Sequence, residues 1–242
     1  PEPGGCILGN RPITEQISGF KRLGADFKKE GESNSFSTTQ LTGASLLPVF
    51  SVTATEKLLM AACTAEGTTI IKTAAAEPNI IELAHFLKSM GAKISGEGTH
   101  TIIVEGVKEL HGAKHSIVPD QIQVGTFAVL AATTNSEITI TNVIPDHLDM
   151  LLHTLGKANI NFEVGDNSLI IKKSSHLESF SLQTMPYPGF PTDLQAPFSV
   201  LATQCAGTTL IHDPMYDGRM SHIKELIKMG ANAVICDPHR VL

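Results

Sequence analysis

A cysteine set among three glycines, with an arginine five residues downstream, lies near the start of the chain: Pro3-Gly4-Gly5-Cys6-Ile7-Leu8-Gly9-Asn10-Arg11-Pro12. Glycine has no Cβ, so such a stretch reaches backbone angles closed to other residues and lets a ligand approach the main chain. A thiol on this kind of loop can be a nucleophile or an acid, and a neighbouring guanidinium shifts it toward the thiolate. The fork of Arg11 also matches phosphate or carboxylate oxygens. The plainer reading of the same residues is a Gly-Pro surface loop with a spare thiol. A second stretch, Phe190-Pro191-Thr192-Asp193, places an aspartate just ahead of an apolar run. Asp is favoured at a helix start because free backbone N–H groups face it there. On a cleft rim the same carboxylate could accept a proton, and the two readings are compatible.

The elements that must position these groups form a repeat. Gly24, Gly91, Gly156 and Gly230 each follow an amphipathic run, 67, 65 and 74 residues apart. Each reads as the left-handed residue that ends a helix. Glu66-Gly67-Thr68-Thr69-Ile70, Asn135-Ser136-Glu137-Ile138-Thr139 and Ala206-Gly207-Thr208-Thr209-Leu210 open strands, 69 and 71 residues apart. Two markers with one period indicate repeated units of about 70 residues. Each unit runs from a helix (55–64, 124–132, 194–205) to a strand (68–71, 138–140, 208–211). A second helix follows (80–90, 148–155, 222–229), then short strands such as 93–95 and 101–104. This alternation predicts an α/β fold, α+β by some schemes. The first helix of each unit is apolar nearly all round, as in Lys57-Leu58-Leu59-Met60-Ala61-Ala62, and is expected to be buried on most sides. Thr53 and Glu56 have capping-box spacing, so Thr53 rather than Ser51 is expected to cap its helix.

Composition narrows the function. The 242 residues carry a net charge of −6 with no basic block, which leaves out the electrostatic footprint of a nucleic-acid binder. No apolar run approaches a membrane span, and the opening residues lack a signal-peptide pattern. The four cysteines, Cys6, Cys63, Cys205 and Cys236, are far apart, and no pair of the ten histidines has ligand spacing next to a cysteine or carboxylate cluster. A cytoplasmic protein with reduced thiols and no metal or other cofactor is expected. Cys63 and Cys205 sit in apolar helical patterns and read as packing residues.

Pro3-Gly4-Gly5-Cys6 with Gly9-x-Arg11-Pro12 resembles the catalytic loop of the enolpyruvyl transferase family, in its UDP-N-acetylglucosamine 1-carboxyvinyltransferase branch. Three further stretches agree in order: Ser51-Val52-Thr53-Ala54-Thr55-Glu56, Ala65-Glu66-Gly67-Thr68-Thr69 through Glu77-Pro78, and Phe190-Pro191-Thr192-Asp193-Leu194-Gln195-Ala196. The resemblance covers essentially the whole chain. The shikimate-pathway branch shares the fold but lacks the cysteine loop. The family implies an inside-out α/β barrel, with helices inside and sheets outside and three units in each of two domains. Six units at this period need roughly 400 residues. This chain is then a central piece: the tail of one unit (1–44), two complete units (about 45–112 and 113–180) and most of another. Residues 1–115 would belong to the catalytic-loop domain and 116–242 to the second domain. The missing N- and C-terminal segments would carry further phosphoenolpyruvate-binding Lys, Asn, Arg and Asp residues.

The resemblance also implies an activity, the transfer of the enolpyruvyl group of phosphoenolpyruvate to the 3-hydroxyl of UDP-N-acetylglucosamine. This is the first committed step of peptidoglycan synthesis. Cys6 would be the general acid and Asp193 the base at the sugar hydroxyl. Arg11 would meet phosphate, and Arg219 would lie near phosphoenolpyruvate. Pro12, Ile13 and Thr14 would lie against the nucleotide, Ser51 and Val52 against its diphosphate, and Met215 would contact the sugar nucleotide through its backbone. There are departures. Thr14 stands where the family usually has an Asp, Val49 where some members have a Lys, Thr53 where a Gly is usual, and Gly218 where an Asn precedes the arginine. Gln121 and Gln123 replace charged residues. These departures suggest a divergent member with altered nucleotide affinity. The alternative is a non-catalytic relic or paralogue that binds UDP-sugar, and a third reading is a helix-rich interaction scaffold.

Overall fold

The computed structural model describes residues 13–31 and 33–242, which divide into two compact units, 13–118 and 119–242. The first unit opens with α1 (Thr14–Arg22) and an antiparallel hairpin, β1 (Asp26–Glu30) with β2 (Ser33–Ser37). Then come β3 (Ser45–Leu46), α2 (Val52–Ala62), β4 (Thr68–Lys72), α3 (Pro78–Ser89), β5 (Lys93–Ser95) and β6 (Thr101–Glu105). The four later strands form one sheet in the order β3-β4-β6-β5, parallel only between β3 and β4. Alternation on β4 and β6 turns Ile71, Ile102 and Val104 inward. There they meet Leu58 and Leu59 of α2 and Ile80 of α3 in one core.

The second unit contains the pattern twice. Its first copy has α4 (Gln121–Thr133), β7 (Ile138–Thr141), α5 (Asp149–Lys157), β8 (Phe162–Val164) and β9 (Ser168–Ile171). The other has β10 (Ser181–Gln183), α6 (Gln195–Ala202), β11 (Leu210–His212), α7 (His222–Lys228), β12 (Ile235–Asp237) and β13 (Arg240–Val241). The order β10-β11-β13-β12 reproduces the sheet of the first unit, with β10 and β11 parallel. Among the described residues, the sheet β7-β9-β8 has no parallel edge strand. Phe198 on α6 is fully buried and meets Phe190 and Phe180 edge-to-face, with ring centroids 5.0 and 6.0 Å away.

Three expectations need correction. Gly156 does not end its helix. α5 runs through it to Lys157, and the left-handed residue is Asn159, with φ 56°. Gly24, Gly91 and Gly230 do take this role, with φ 93°, 100° and 100°. All four helices close alike: the N–H one residue after the left-handed position returns to a carbonyl a turn back, as in Ala92 to Leu87 and Ile160 to Leu155. Asn tolerates the conformation, so a glycine was not required there.

Ser51, not Thr53, caps α2, accepting the Ala54 N–H on Oγ at 3.3 Å. The helix begins three residues earlier than the apolar pattern suggests, because a turn at Pro48, Val49 and Phe50 releases the chain already at Ser51. Finally, α4 is not enclosed. It packs on α6, β7 and β9 on one side, while Phe127 and Leu130 remain 47% and 54% exposed. A helix apolar on every face needs neighbours on every face, and the described residues of the second unit supply them on only one side.

Candidate functional site

Cys6, Arg11 and Pro12 lie outside the described residues. The other expected site residues fall into two groups, one in each unit.

In the first unit the residues gather at two neighbouring helix starts. Ile13 is the residue before α1, Thr14 is its first and exposed residue, Ser51 caps α2 and Val52 opens it. Gln16 joins the two first turns by donating from Nε2 to Thr53 Oγ1 at 3.2 Å. Ser51 Oγ is committed to the Ala54 N–H, so the Val52 and Thr53 N–H groups are the ones a helix leaves without internal partners. With the helix dipole they form a place for an anion. The approach to it is strained. Val49 and Phe50 hold φ of 50° and 58°, and Thr73 beside them holds 54°. A β-branched residue there is an outlier, of the kind that clusters at working sites. The loop is pinned by the Val49 N–H to Thr73 Oγ1 at 3.1 Å and the Phe50 N–H to the Thr73 carbonyl at 2.8 Å.

In the second unit Asp193, Met215 and Arg219 come together. Asp193 lies on a single 3₁₀ turn, Thr192–Leu194, that leads into α6. Gly125 lets α4 lie close to that turn, since a Cβ there would meet Leu194 Cδ1 at 2.6 Å. The Asp193 carboxylate is largely exposed and pairs with the Arg219 guanidinium, whose side chain is only 15% exposed. The guanidinium carbon is also 5.4 Å from the Tyr216 ring. Met215 gives its N–H to Asp213 Oδ1 at 3.0 Å, which leaves its carbonyl as the backbone group to address a ligand.

Gly218 holds φ 73°, and no heavy atom would lie within 4 Å of a Cβ there. Both Gly and Asn accept that conformation, so the departure from Asn keeps the backbone course of the arginine loop. His222 Nδ1 donates to the Arg219 carbonyl at 3.1 Å, and burial holds the imidazole pKa below its ordinary value.

Two of the three described thiols, Cys63 and Cys205, are unlike a reactive one, while Cys236 is exposed. Burial pushes Cys63 and Cys205 up to about 11, and each Sγ faces the carbonyl four residues earlier, in the last turn of the preceding helix, that of Leu59 and of Leu201. Among the described residues no group of His, Cys, Asp and Glu could hold a metal ion. None of their helices is long and apolar enough to cross a membrane. Gln16, Thr192, Asp213 and Tyr216 escaped the sequence reading. Only Thr192 sat inside a recognised motif; Gln16 and Asp213 become visible through partners far away in the chain, and Tyr216 through the local course of the loop that brings its ring to Arg219.

A family model described as EPSP synthase (3-phosphoshikimate 1-carboxyvinyltransferase) matches residues 3–239, nearly the whole chain. The chain belongs to the EPSP synthase family. This EPSP synthase family chain is 47% identical over 232 residues to UDP-N-acetylglucosamine 1-carboxyvinyltransferase 2 of Bacillus subtilis (strain 168), covering 95% of the chain and 54% of that relative. A second relative of the same name, from Geobacillus kaustophilus (strain HTA426), is 43% identical over 234 residues, covering 96% and 55%. The chain thus spans about half the length of the curated relatives it matches. Among solved structures, the enolpyruvyl transferase NikO from Streptomyces tendae superposes with a TM-score of 0.86 at 17% identity, covering 96% of this chain and 58% of that one. EPSP synthase from Acinetobacter baumannii superposes at 0.66 and 20% identity, covering 98% and 58%. At such identities these two show the fold, that of the enolpyruvyl transferases.

Proposed function

We propose that the protein to which this chain belongs transfers the enolpyruvyl group of phosphoenolpyruvate to the 3-hydroxyl of UDP-N-acetylglucosamine, releasing phosphate. The observation that carries the reading is the pairing of Asp193 with Arg219 at the start of α6. It puts a solvent-facing carboxylate beside a mostly buried cation. The names of the relatives, the Gly-Gly-Cys loop and the anion-ready start of α2 support it.

The sugar oxygen adds to the central carbon of phosphoenolpyruvate while a proton goes to the methylene carbon, giving a tetrahedral ketal. Loss of a methyl proton then expels phosphate. Cys6 supplies the proton to the methylene carbon, and Asp193 takes the proton of the sugar hydroxyl. Arg11 and Arg219 balance phosphate and carboxylate charge. The Val52 N–H and the Ser51 cap meet the nucleotide diphosphate, Pro12, Ile13 and Thr14 lie along the base, and the Met215 carbonyl meets the sugar nucleotide. The two compact units are then parts of two enolpyruvyl transferase domains, completed by further segments of the same enzyme. The setting is cytoplasmic cell-wall synthesis, and through it cell shape and division. The competing reading, a UDP-sugar binder without turnover, is favoured by Thr14, which cannot supply the carboxylate usual at its position.

Phosphate release by the full-length gene product with both substrates is the test. Turnover is expected, with Cys6→Ala lowering it by at least about 10²-fold. A folded product that binds UDP-N-acetylglucosamine calorimetrically but releases no phosphate would leave the binder reading in place. Turnover unchanged in Cys6→Ala would remove the cysteine from the chemistry.

A further inference from the structure

Asp213 follows β11 directly, and its side chain is fully buried. A carboxylate in that position must be met by donors. The Thr184 hydroxyl and the Met215 N–H donate to Oδ1 at 2.7 and 3.0 Å. The Thr192 hydroxyl donates to Oδ2 at 2.6 Å, and Arg219 Nε stands 4.0 Å from that same oxygen. The backbone of Asp213 is held as well. Its N–H donates to the His239 carbonyl at 2.8 Å, and its carbonyl accepts from His239 Nδ1 at 2.8 Å. One immobile carboxylate therefore holds the exit of β10, the turn that carries Asp193 and the loop that carries Arg219.

We infer that Asp213 is the positioning residue of the Asp193–Arg219 pair. It fixes the separation of carboxylate and guanidinium through Thr192 and through the charge it sets beside Nε, without touching substrate. The division of labour follows from its two oxygens. Oδ1 ties the β10 exit to the Met215 backbone, and so sets the course of the arginine loop. Oδ2 ties the Asp193 turn and faces the guanidinium. Because the side chain of Asp193 is 62% exposed, its own surroundings cannot hold it still. The tether on the preceding residue does so instead. Arg219 is bracketed by two carboxylates, one buried and one exposed. The buried one keeps the fork in place when an incoming anion draws it away from Asp193. The catalytic meaning of the pair rests on the proposed function, but the tether does not.

Two readouts keep these apart. Steady-state kinetics of the full-length product measure the chemistry, and the Arg219 Nε–H resonance reports the geometry whether or not there is turnover. Thr192→Val is isosteric and removes only the hydroxyl. It is expected to lower kcat by about 10- to 10²-fold, the penalty of a small misplacement, with a smaller change in KM and with the Arg219 resonance moved. Thr192→Ser restores the hydroxyl and is expected to return kcat to within about threefold. Asp213→Asn keeps hydrogen bonds to the threonines, whose hydroxyls can rotate, but removes the charge beside Nε. It is expected to move the same resonance and raise KM for phosphoenolpyruvate. Thr192→Val with kcat within about threefold of the parent and the resonance unmoved overturns the inference, as does Thr192→Ser as impaired as Thr192→Val. If the parent itself shows no turnover, the proposed function fails. The resonance then decides alone: a shift in Thr192→Val supports the tether, and its absence overturns it.

Discussion

The repeat built on α2 and the repeat built on α6 have one strand order and one helix order, yet their first helices begin in different chemistry. Gly67 and Gly207 head the same Gly-Thr-Thr motif. Counting from them pairs Thr73 with Asp213, Thr53 with Asp193, Asn79 with Arg219 and Leu58 with Phe198. In the first unit these positions are neutral. Thr73 takes the Val49 N–H, Thr53 takes the Gln16 amide, and Asn79 donates to Glu56 at 3.0 Å. In the second unit the same scaffold carries a buried carboxylate, an exposed one and a guanidinium between them. The residue leaving the central strand ties the neighbouring loop in both repeats. What it ties with decides whether the helix start is left open to an anion or carries its own charge pair. One fold thus provides two kinds of helix start by exchanging side chains at fixed positions.

The largest way to break this correspondence lies in the core beneath it. Leu58 and Phe198 are both fully buried, but Phe198 also holds two further rings. Phe198→Ala is expected to lower stability by about 3–5 kcal/mol and Leu58→Ala by about 2–5 kcal/mol, measured by urea unfolding. A phenylalanine loss under about 1 kcal/mol would mean that the aromatic cluster does not support the α6 start.

A smaller effect depends on pH. His222 corresponds to Glu82, which accepts from His115 Nε2 at 2.6 Å. His222 Nε2 is instead buried and has no hydrogen-bond partner among the described residues, and burial lowers its pKa. With the folded value below the unfolded one, the neutral ring contributes stability above about pH 6.5, and this is lost as the pH falls toward the folded value. His222→Phe should flatten that part of the stability–pH curve, and an unchanged slope would assign it to another group.

The smallest effects test the helix ends. Gly156 lies inside α5 with open space at its Cβ, so Gly156→Ala should stabilise by up to about 1 kcal/mol. Gly230→Ala, at φ 100°, should destabilise by about 1 kcal/mol instead. Thermal melts that rank the two the other way would contradict the corrected placement of the third helix end.

How much of this was legible depended on range. Local signals read well: β5 at 93–95, the second helices and three of the four helix-ending glycines sit where the sequence places them. The failures come where a residue has a substitute or a distant partner. Asn159 serves in place of glycine, and Gly156, three residues earlier, misdirects the reading. Asp120 caps α4 with its carboxylate on the Ile122 N–H at 2.8 Å, but Gln121 and Gln123 hide the start of the apolar pattern. At the site, Asp193 and Arg219 were named from motifs. Asp213 was not, because a buried aspartate is defined by who donates to it, and Thr184 and Thr192 lie 29 and 21 residues away. No periodicity records such a partnership.

The open side of α4 bears on how these 242 residues behave in a tube. Phe127 and Leu130 lie one helical turn apart on a face with no charged residue, between Thr126 and Thr134. Apolar groups grouped in this way are sticky at high concentration. Added sulfate should strengthen that tendency by raising the penalty for wetted hydrocarbon, and mild urea should weaken it. Preparations of this chain will therefore keep best dilute and at low concentrations of salting-out ions.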